Sequence, residues 1–134
     1  MTLSMMENDW LSDRLPSVWA QMGEAVIPAL WKLLDDESLF PEPRGLAAAG
    51  LQRLAQTYPK RRAEIVQGFV QQLNKPLPYN AMTNAYIIFT LNRLRAKEAR
   101  QAIALAFELG KVDLNIIQPE DVEFLDSELS GDRE

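Results

Sequence analysis

A short leucine and arginine pattern occurs twice in the middle of the chain. Leu51–Leu54 reads LQRL and Leu91–Leu94 reads LNRL, and the two copies are 91 − 51 = 40 residues apart. A period of this length is typical of stacked helix pairs. One pair alone cannot bury its apolar side, so each copy must pack on its neighbours. The repeat therefore predicts an all-α fold in which helix pairs follow one another along the chain.

Apolar residues at helical spacing, bounded by prolines and glycines, predict six helices. Their predicted bounds are Asp13–Met22, Glu24–Asp36, Pro43–Tyr58, Lys60–Asn74, Tyr79–Arg95 and Lys97–Gly110. The second helix has a wide apolar stripe that includes Leu33, as a helix buried between neighbours requires. Trp19 and Trp31 are expected in the core, whereas Trp10 is left open between the core and a binding anchor.

The fifth predicted helix contains a run, Ala85–Leu91 (AYIIFTL), that is apolar nearly all round. Such a run also fits a buried strand, because β-branched and aromatic residues are enriched in strands. The match between Leu91–Leu94 and Leu51–Leu54 favours the helix. We therefore expect this helix to be the most buried element of the chain.

The two ends of the chain are predicted to differ from the helical middle. Residues 1–12 are expected to form a loose lead-in, and residues 111–134 an acidic C-terminal cap and tail. In the cap, Ile116 and Ile117 are expected to cover the open end of the helix pairs, and Pro119 to begin a short helix. The apolar side of that short helix consists of Val122, Phe124, Leu125 and Leu129. Because 134 residues is the size of one ordinary domain, 1–134 is predicted to be a single domain.

The composition excludes several kinds of chemistry. With no cysteine and no histidine, the chain cannot form a zinc finger, an iron–sulfur cluster, a thiol nucleophile or a histidine-based triad. Its carboxylates are concentrated in loops and in the tail, so we expect no catalytic residue. A magnesium or calcium site made of carboxylates alone stays open, but no Asp/Gly loop has the spacing of a calcium-binding hand, so we expect no metal site, and we expect no cofactor. No run approaches the roughly 18 apolar residues of a membrane helix, and the first ten residues lack a basic leader. A soluble, cytoplasmic protein with no membrane contact is expected.

The net charge of −5 is unevenly distributed along the sequence. Residues 1–41 have seven acids and two bases, residues 42–110 have four acids and ten bases, and residues 111–134 have eight acids and two bases. The bases of the middle segment are Arg44, Arg53, Lys60, Arg61, Arg62, Lys75, Arg93, Arg95, Lys97 and Arg100. One interpretation is that they solvate helix ends and pair with the acidic segments. The other is a basic strip that meets an acidic partner or a phosphate backbone.

Three stretches of the sequence resemble HEAT-like repeat proteins, particularly the small bacterial type whose repeats are similar to those of phycobilin lyases. Met22–Leu30 (MGEAVIPAL) resembles the G-x-x-A-I-P-x-L inner helix of that family. Leu34–Asp36 followed by Pro43–Leu51 (PRGLAAAGL) resembles its L-x-D … R-x-x-A-A-x-A-L junction. Ala106–Asp113 (AFELGKVD), with Ile116–Leu125 after it, resembles the closing segment that follows the last repeat in some members.

The sequence departs from the family pattern in two places. The connection between Asp36 and Arg44 is longer than in a tight repeat. The fifth predicted helix has Tyr86–Phe89 (YIIF) where the third has Leu46–Ala49 (LAAA), so it lacks the family's small residues. The resemblance nevertheless implies an α-α superhelix of about three helix pairs, closed by a capping segment.

From these features we expect a non-catalytic scaffold that binds another protein. Two alternatives stay open: a phycobilin-lyase-like subunit or chaperone that binds a bilin or a phycobiliprotein, and a HEAT-like module that binds nucleic acid, as the family's alkylpurine DNA glycosylases do. The acidic composition of the whole chain is unfavourable to nucleic acid. Arg53 and Arg93 hold the same position in the two copies, and we predict that they, with Arg95 or Arg100, contact an acidic partner.

Overall fold

The structure, a computed structural model, describes residues 18–76 and 79–125, which form helices and turns with no strand among them. The all-α prediction is therefore confirmed. Three parts of the sequence predictions lie outside the described residues: the lead-in 1–12, Trp10 and Leu129. The α-helices are α1 Ile27–Asp35, α2 Pro41–Thr57, α3 Arg62–Leu73, α4 Ala81–Arg93 and α5 Arg100–Glu108, and residues 18–22 are also helical. The chain divides into two compact units, Met1–Arg62 and Ala63–Glu134.

A short 3-10 turn precedes three of these helices. The turns are Glu24–Val26 before α1, Pro59–Arg61 before α3 and Lys97–Ala99 before α5. The sequence predicted regular helix from Glu24, Lys60 and Lys97, so the α-helices begin two or three residues later than predicted. The reason is that the first amides of a helix have no partner four residues back, and bonds to the third residue back satisfy them in a tighter turn.

The spacing of helix starts matches the spacing of the sequence repeat. α2 begins at Pro41 and α4 at Ala81, so their starts are 81 − 41 = 40 residues apart. Leu51 and Leu91, the two copies of the repeated leucine, stand ten residues after these starts and are both fully buried. The two copies thus have the same register within their helices.

The bounds of α2 and α4 differ slightly from the predicted ones. α2 begins at Pro41 rather than Pro43 because a first turn tolerates proline, whose missing amide is not needed there. α4 begins at Ala81 rather than Tyr79 because the Asn80 side chain caps it, accepting a hydrogen bond of 2.9 Å from the Thr83 amide.

In the first unit, α1 packs against α2. Leu30 and Leu34 of α1 and Leu51 and Leu54 of α2 are all buried. Gly50 permits a close approach on this side of α2, since a Cβ added there would lie 2.5 Å from Cε3 of Trp19 and 3.1 Å from Cδ1 of Leu30. Trp19 is thereby held against α2.

Three apolar side chains of the first unit are less covered than predicted. Trp19 and Trp31 are half-buried, and Leu33 is 37% exposed. The stripe on α1 is wider than the surface that α2 covers, so its margin remains in solvent. The core of α1 is restricted to Ile27, Leu30 and Leu34.

The chain leaves α1 through a turn held by one carboxylate. Oδ1 of Asp36 accepts hydrogen bonds from Oγ of Ser38 at 2.6 Å and from the Ser38 amide at 3.0 Å. These bonds stabilise the ionised carboxylate, so the Ser38 hydroxyl first and then its amide lower the pKa of Asp36 below its usual range.

In the second unit, α4 is the most buried of the described helices. Seven of its thirteen residues are buried, against eight of seventeen in α2. The prediction about its burial is confirmed, and the alternative of a strand over Ala85–Leu91 is wrong, because those residues are helical. Phe89 is an exception within the run, since 45% of it is exposed.

The segment after α5 contributes to the core of the second unit. Its buried apolar residues are Val112, Ile117, Val122, Phe124 and Leu125. Pro119–Asp121 form a 3-10 turn with a hydrogen bond of 2.9 Å from the Gln118 amide to Oδ2 of Asp121, and residues 123–125 are α-helical. The sequence predicted one short helix from Pro119. Ile116 is half-buried.

Across residues 18–76 and 79–125, no helix has both the length and the apolar character needed to cross a membrane.

We predict that Gly50→Ala lowers the free energy of unfolding by about 1–3 kcal/mol, because the added methyl group overlaps the Trp19 ring. Urea denaturation measures the change. Trp19→Leu made in the same chain should recover part of the loss, since it removes the ring atoms in conflict. A Gly50→Ala protein as stable as the original would contradict the packing of Trp19 on α2.

Candidate partner-binding surface

A polar side chain near the start of α2 fixes the rotation of that helix. Arg44 is buried, and its Nε donates a hydrogen bond of 2.7 Å to the main-chain oxygen of Leu34, near the end of α1. The last carbonyls of a helix lack intrahelical partners and carry partial negative charge, which a cation satisfies. Arg44 is therefore not part of a basic surface strip, as one interpretation of the sequence required.

Asn84 has the corresponding place in α4, since 84 − 44 = 40. It is buried as well, and its Nδ2 donates a hydrogen bond of 3.0 Å to the main-chain oxygen of Lys111. At 3.6 residues per turn, Leu51 falls on the same side of α2 as Arg44, seven residues before it, and Arg53 falls nearly opposite. Leu91 and Arg93 have the same relation to Asn84 in α4. This register turns Leu51 and Leu91 inward and Arg53 and Arg93 outward.

The structure places the four predicted binding arginines in two groups. Arg53 is exposed on α2, in the first unit. Arg93, Arg95 and Arg100 belong to the second unit, where they bracket the connection between α4 and α5. Arg93 and Arg95 are exposed, whereas Arg100 is half-buried and its Nη1 donates a hydrogen bond of 3.2 Å to the main-chain oxygen of Lys97.

The Arg93 guanidinium lies over the aromatic ring of Phe89, a residue that was not among the predicted binding residues. Cζ of Arg93 lies 5.7 Å from the ring centroid of Phe89, one helical turn earlier. A guanidinium over an exposed ring is worth about 0.5–1 kcal/mol and restricts the motion of both side chains. The spacing of four residues between Phe89 and Arg93 could have predicted this contact from the sequence, because residues four apart are neighbours on a helix.

Arg95 has a backbone conformation that is costly for any residue other than glycine. Among the non-glycine residues that the structure describes, only Arg95 has a positive φ, of 53°. The Ala96 amide bonds to the Leu91 oxygen and the Arg95 amide to the Asn92 oxygen, both at 3.0 Å, so the helix ends in a Schellman motif.

α5 ends in the same motif with the expected residue. The Lys111 amide bonds to the Ala106 oxygen at 2.9 Å and the Gly110 amide to the Phe107 oxygen at 3.0 Å, with Gly110 at φ 71°. The sequence predicted Gly110 as the stop at the end of this helix, and the prediction is confirmed. Arg95 at the end of α4 thus has the position that Gly110, 110 − 95 = 15 residues later, has at the end of α5.

Lys111 is a second buried cation at a helix end. Its Nζ donates hydrogen bonds to the oxygens of Leu73 at 2.6 Å and Lys75 at 2.9 Å, beyond the end of α3, and lies 5.4 Å from the centroid of the Tyr79 ring. This role could not be predicted from the sequence, because the two carbonyls belong to residues 38 and 36 positions earlier in the chain and only the fold brings them to Lys111.

The acidic C-terminal segment is held by α4 through one amide side chain. Nδ2 of Asn92 donates to the main-chain oxygen of Asp121 at 3.2 Å, and Oδ1 of Asn92 accepts from the Glu123 amide at 3.3 Å. Asp121 and Glu123 are exposed, while Val122 between them is fully buried. Asn92 therefore bonds to the main chain of an acidic segment that has a buried apolar residue.

One of the remaining bases pairs with an acid of the first unit. Nε of Arg61 forms an ion pair with Oε1 of Glu24, with both side chains a little over 40% exposed. This contact agrees with the interpretation that bases of the middle segment pair with the acidic ones. Exposed pairs of this kind contribute little to stability.

Among the residues that the structure describes, no three acids lie close enough together to hold a metal ion. Comparisons of the chain with protein-family models, with curated proteins and with solved structures gave no match.

We predict that Lys111→Met lowers the free energy of unfolding by about 2–4 kcal/mol, because it leaves the Leu73 and Lys75 oxygens without their donor. Urea denaturation gives the value. The matched control is Lys97→Met, since Lys97 is exposed and its loss should change stability by less than about 0.5 kcal/mol. Equal effects of the two substitutions would contradict the role given to Lys111.

We predict opposite effects on stability when glycine is introduced at the Schellman motif of α4 and removed from that of α5. Arg95→Gly should raise the free energy of unfolding by about 1 kcal/mol, because it relieves the positive φ. Gly110→Ala should lower it by about 1 kcal/mol through the backbone alone, since an added Cβ meets no described atom within 4 Å. Thermal melting of both variants tests this, and a destabilised Arg95→Gly protein would show that the arginine side chain is structural.

Proposed function

We propose that the chain is a short HEAT-like repeat protein that binds another protein through exposed arginines on its helices. The observation that carries this proposal is the shared register of Arg53 and Arg93, both exposed and both opposite a buried leucine in helices that start 40 residues apart. The alternation of α-helix, 3-10 turn and α-helix along the chain also supports a repeat.

The chemistry of the exposed residues favours an acidic partner. A guanidinium donates hydrogen bonds in a planar fork that fits a carboxylate, and it remains charged at every physiological pH. The positive φ at Arg95 adds to this argument, because strained backbone persists where the residue has a use beyond folding.

We predict that Arg53→Glu combined with Arg93→Glu weakens partner capture roughly tenfold or more, because two attractive charges become repulsive. The free energy of unfolding should change by less than about 1 kcal/mol, since both side chains are exposed and contacts made by exposed charged side chains contribute little to stability. The measurement is affinity capture from the native lysate, quantified by mass spectrometry, beside thermal melting.

The matched control is Lys32→Glu combined with Lys60→Glu, which makes the same change in net charge at two other exposed positions. Equal capture by both double variants, or unfolding of the arginine variant, would contradict the proposal. The two alternatives have their own signals: capture of pigmented protein with a shifted bilin absorption, or of nucleic acid with an affinity that falls steeply with salt.

A further inference from the structure

Four side chains form a stripe along the outer side of α4. Met82, Tyr86, Phe89 and Arg93 follow one another at intervals of four, three and four residues, which keeps them on one side of a helix. Phe89 and Arg93 are exposed, and Met82 and Tyr86 are half-buried. We call these four residues the aromatic stripe.

The repeat shows that folding does not require this stripe to be aromatic. The positions 40 residues earlier in α2 are Glu42, Leu46, Ala49 and Arg53. Ala49 thus stands where α4 has a phenylalanine ring that is 45% exposed. An exposed ring in place of alanine adds apolar surface to the side of α4 that also carries the half-buried Met82 and Tyr86, and apolar side chains next to one another, unlike a single exposed one, mark binding sites.

The charge at the end of the aromatic stripe indicates what it accepts. Arg93 lies over the Phe89 ring, and the exposed bases Arg95 and Lys97 follow it in the chain. A ligand there meets apolar contact along the stripe and positive charge at its end. Carboxylates beside aliphatic or aromatic side chains are the complementary chemistry.

The chain itself supplies an example of that ligand chemistry on the same helix. Asn92, adjacent to Arg93, holds the main chain of the acidic segment at Asp121 and Glu123. The segment buries Val122 and Phe124 and leaves its carboxylates exposed. The end of α4 therefore already bonds, through Asn92, to the main chain of an acidic segment that has apolar anchors.

We propose that the aromatic stripe binds an acidic segment of a partner protein, with aliphatic or aromatic anchors against Met82, Tyr86 and Phe89 and a carboxylate on Arg93. This rests on the proposed function and deepens it, because it names the chemistry of the partner and the helix that binds it. Phe89 adds an apolar contact to the binding site, which none of the four predicted arginines provides.

The test is a selection of random peptides displayed on phage against the full chain, followed by fluorescence anisotropy with the enriched peptide. We expect a consensus that combines Asp or Glu with Leu, Ile, Phe or Trp. Phe89→Ala should weaken binding of that peptide roughly tenfold or more. Arg93→Gln should weaken it and reduce its dependence on salt.

The matched control is Phe40→Ala, because Phe40 is 78% exposed and lies outside the aromatic stripe; this variant should bind as the original does. Tyr86→Leu combined with Phe89→Ala gives α4 the residues that α2 has at the same positions. It should fold, as melting checks, and lose binding. Phe89→Ala is expected to fold for the same reason.

Several outcomes would overturn the inference. These are a basic or absent consensus, peptide binding that survives Phe89→Ala, and self-association of the chain that is lost with Phe89→Ala, which would make a second copy the occupant. If partner capture depends on Arg53 and Arg93 but not on Phe89, only the inference about the aromatic stripe fails. If capture depends on none of the three, the proposed function fails with it.

Discussion

In each compact unit a buried cation is bonded to main-chain oxygens at the carboxyl end of a helix. Arg44 binds the Leu34 oxygen, and Lys111 binds the oxygens of Leu73 and Lys75. The carbonyls of Leu34 and Leu73 are among the last of their helices and have no partner there, and Lys75 lies two residues beyond the end of α3, so burying these oxygens without a donor would be costly. Because each cation comes from a later element of the chain, its hydrogen bond also fixes where that element lies, and the outward direction of Arg53 follows from the anchoring of Arg44.

Much of the fold was predictable from local signals. Gly23 and Gly110, both with positive φ, end helical segments where the sequence predicted ends, and the LxRL repeat identified α4 as a helix despite its strand-like composition. The 3-10 turns were not predictable, because they depend on which early amides find acceptors. The exposure of Leu33 was missed for a related reason: an apolar stripe tells which side of a helix packs, not how far its neighbour extends.

Those residues of the candidate site whose exposure follows from their position on the helix were predictable from the sequence. Arg53 and Arg93 stand two residues after a buried leucine, which turns them towards solvent. Arg44 looked like the other bases, and only the fold brings the Leu34 oxygen to it. Phe89 was missed because an aromatic residue in an apolar run is most often core, and the contrast with Ala49 gains meaning only when the burial of the rest of α4 is known.

Two residues of the second unit, six positions apart, differ from the residue that the chain has at an equivalent position. Phe89 exposes a ring where α2 has alanine, and Arg95 has a positive φ where the end of α5 has glycine. The positive φ of Arg95 costs folding free energy that glycine would not, and the repeat shows that the helix can form with alanine in place of Phe89. Arg93 lies between them and contacts the first. Their concentration around one exposed arginine is explained if this end of α4 is retained for binding rather than for folding.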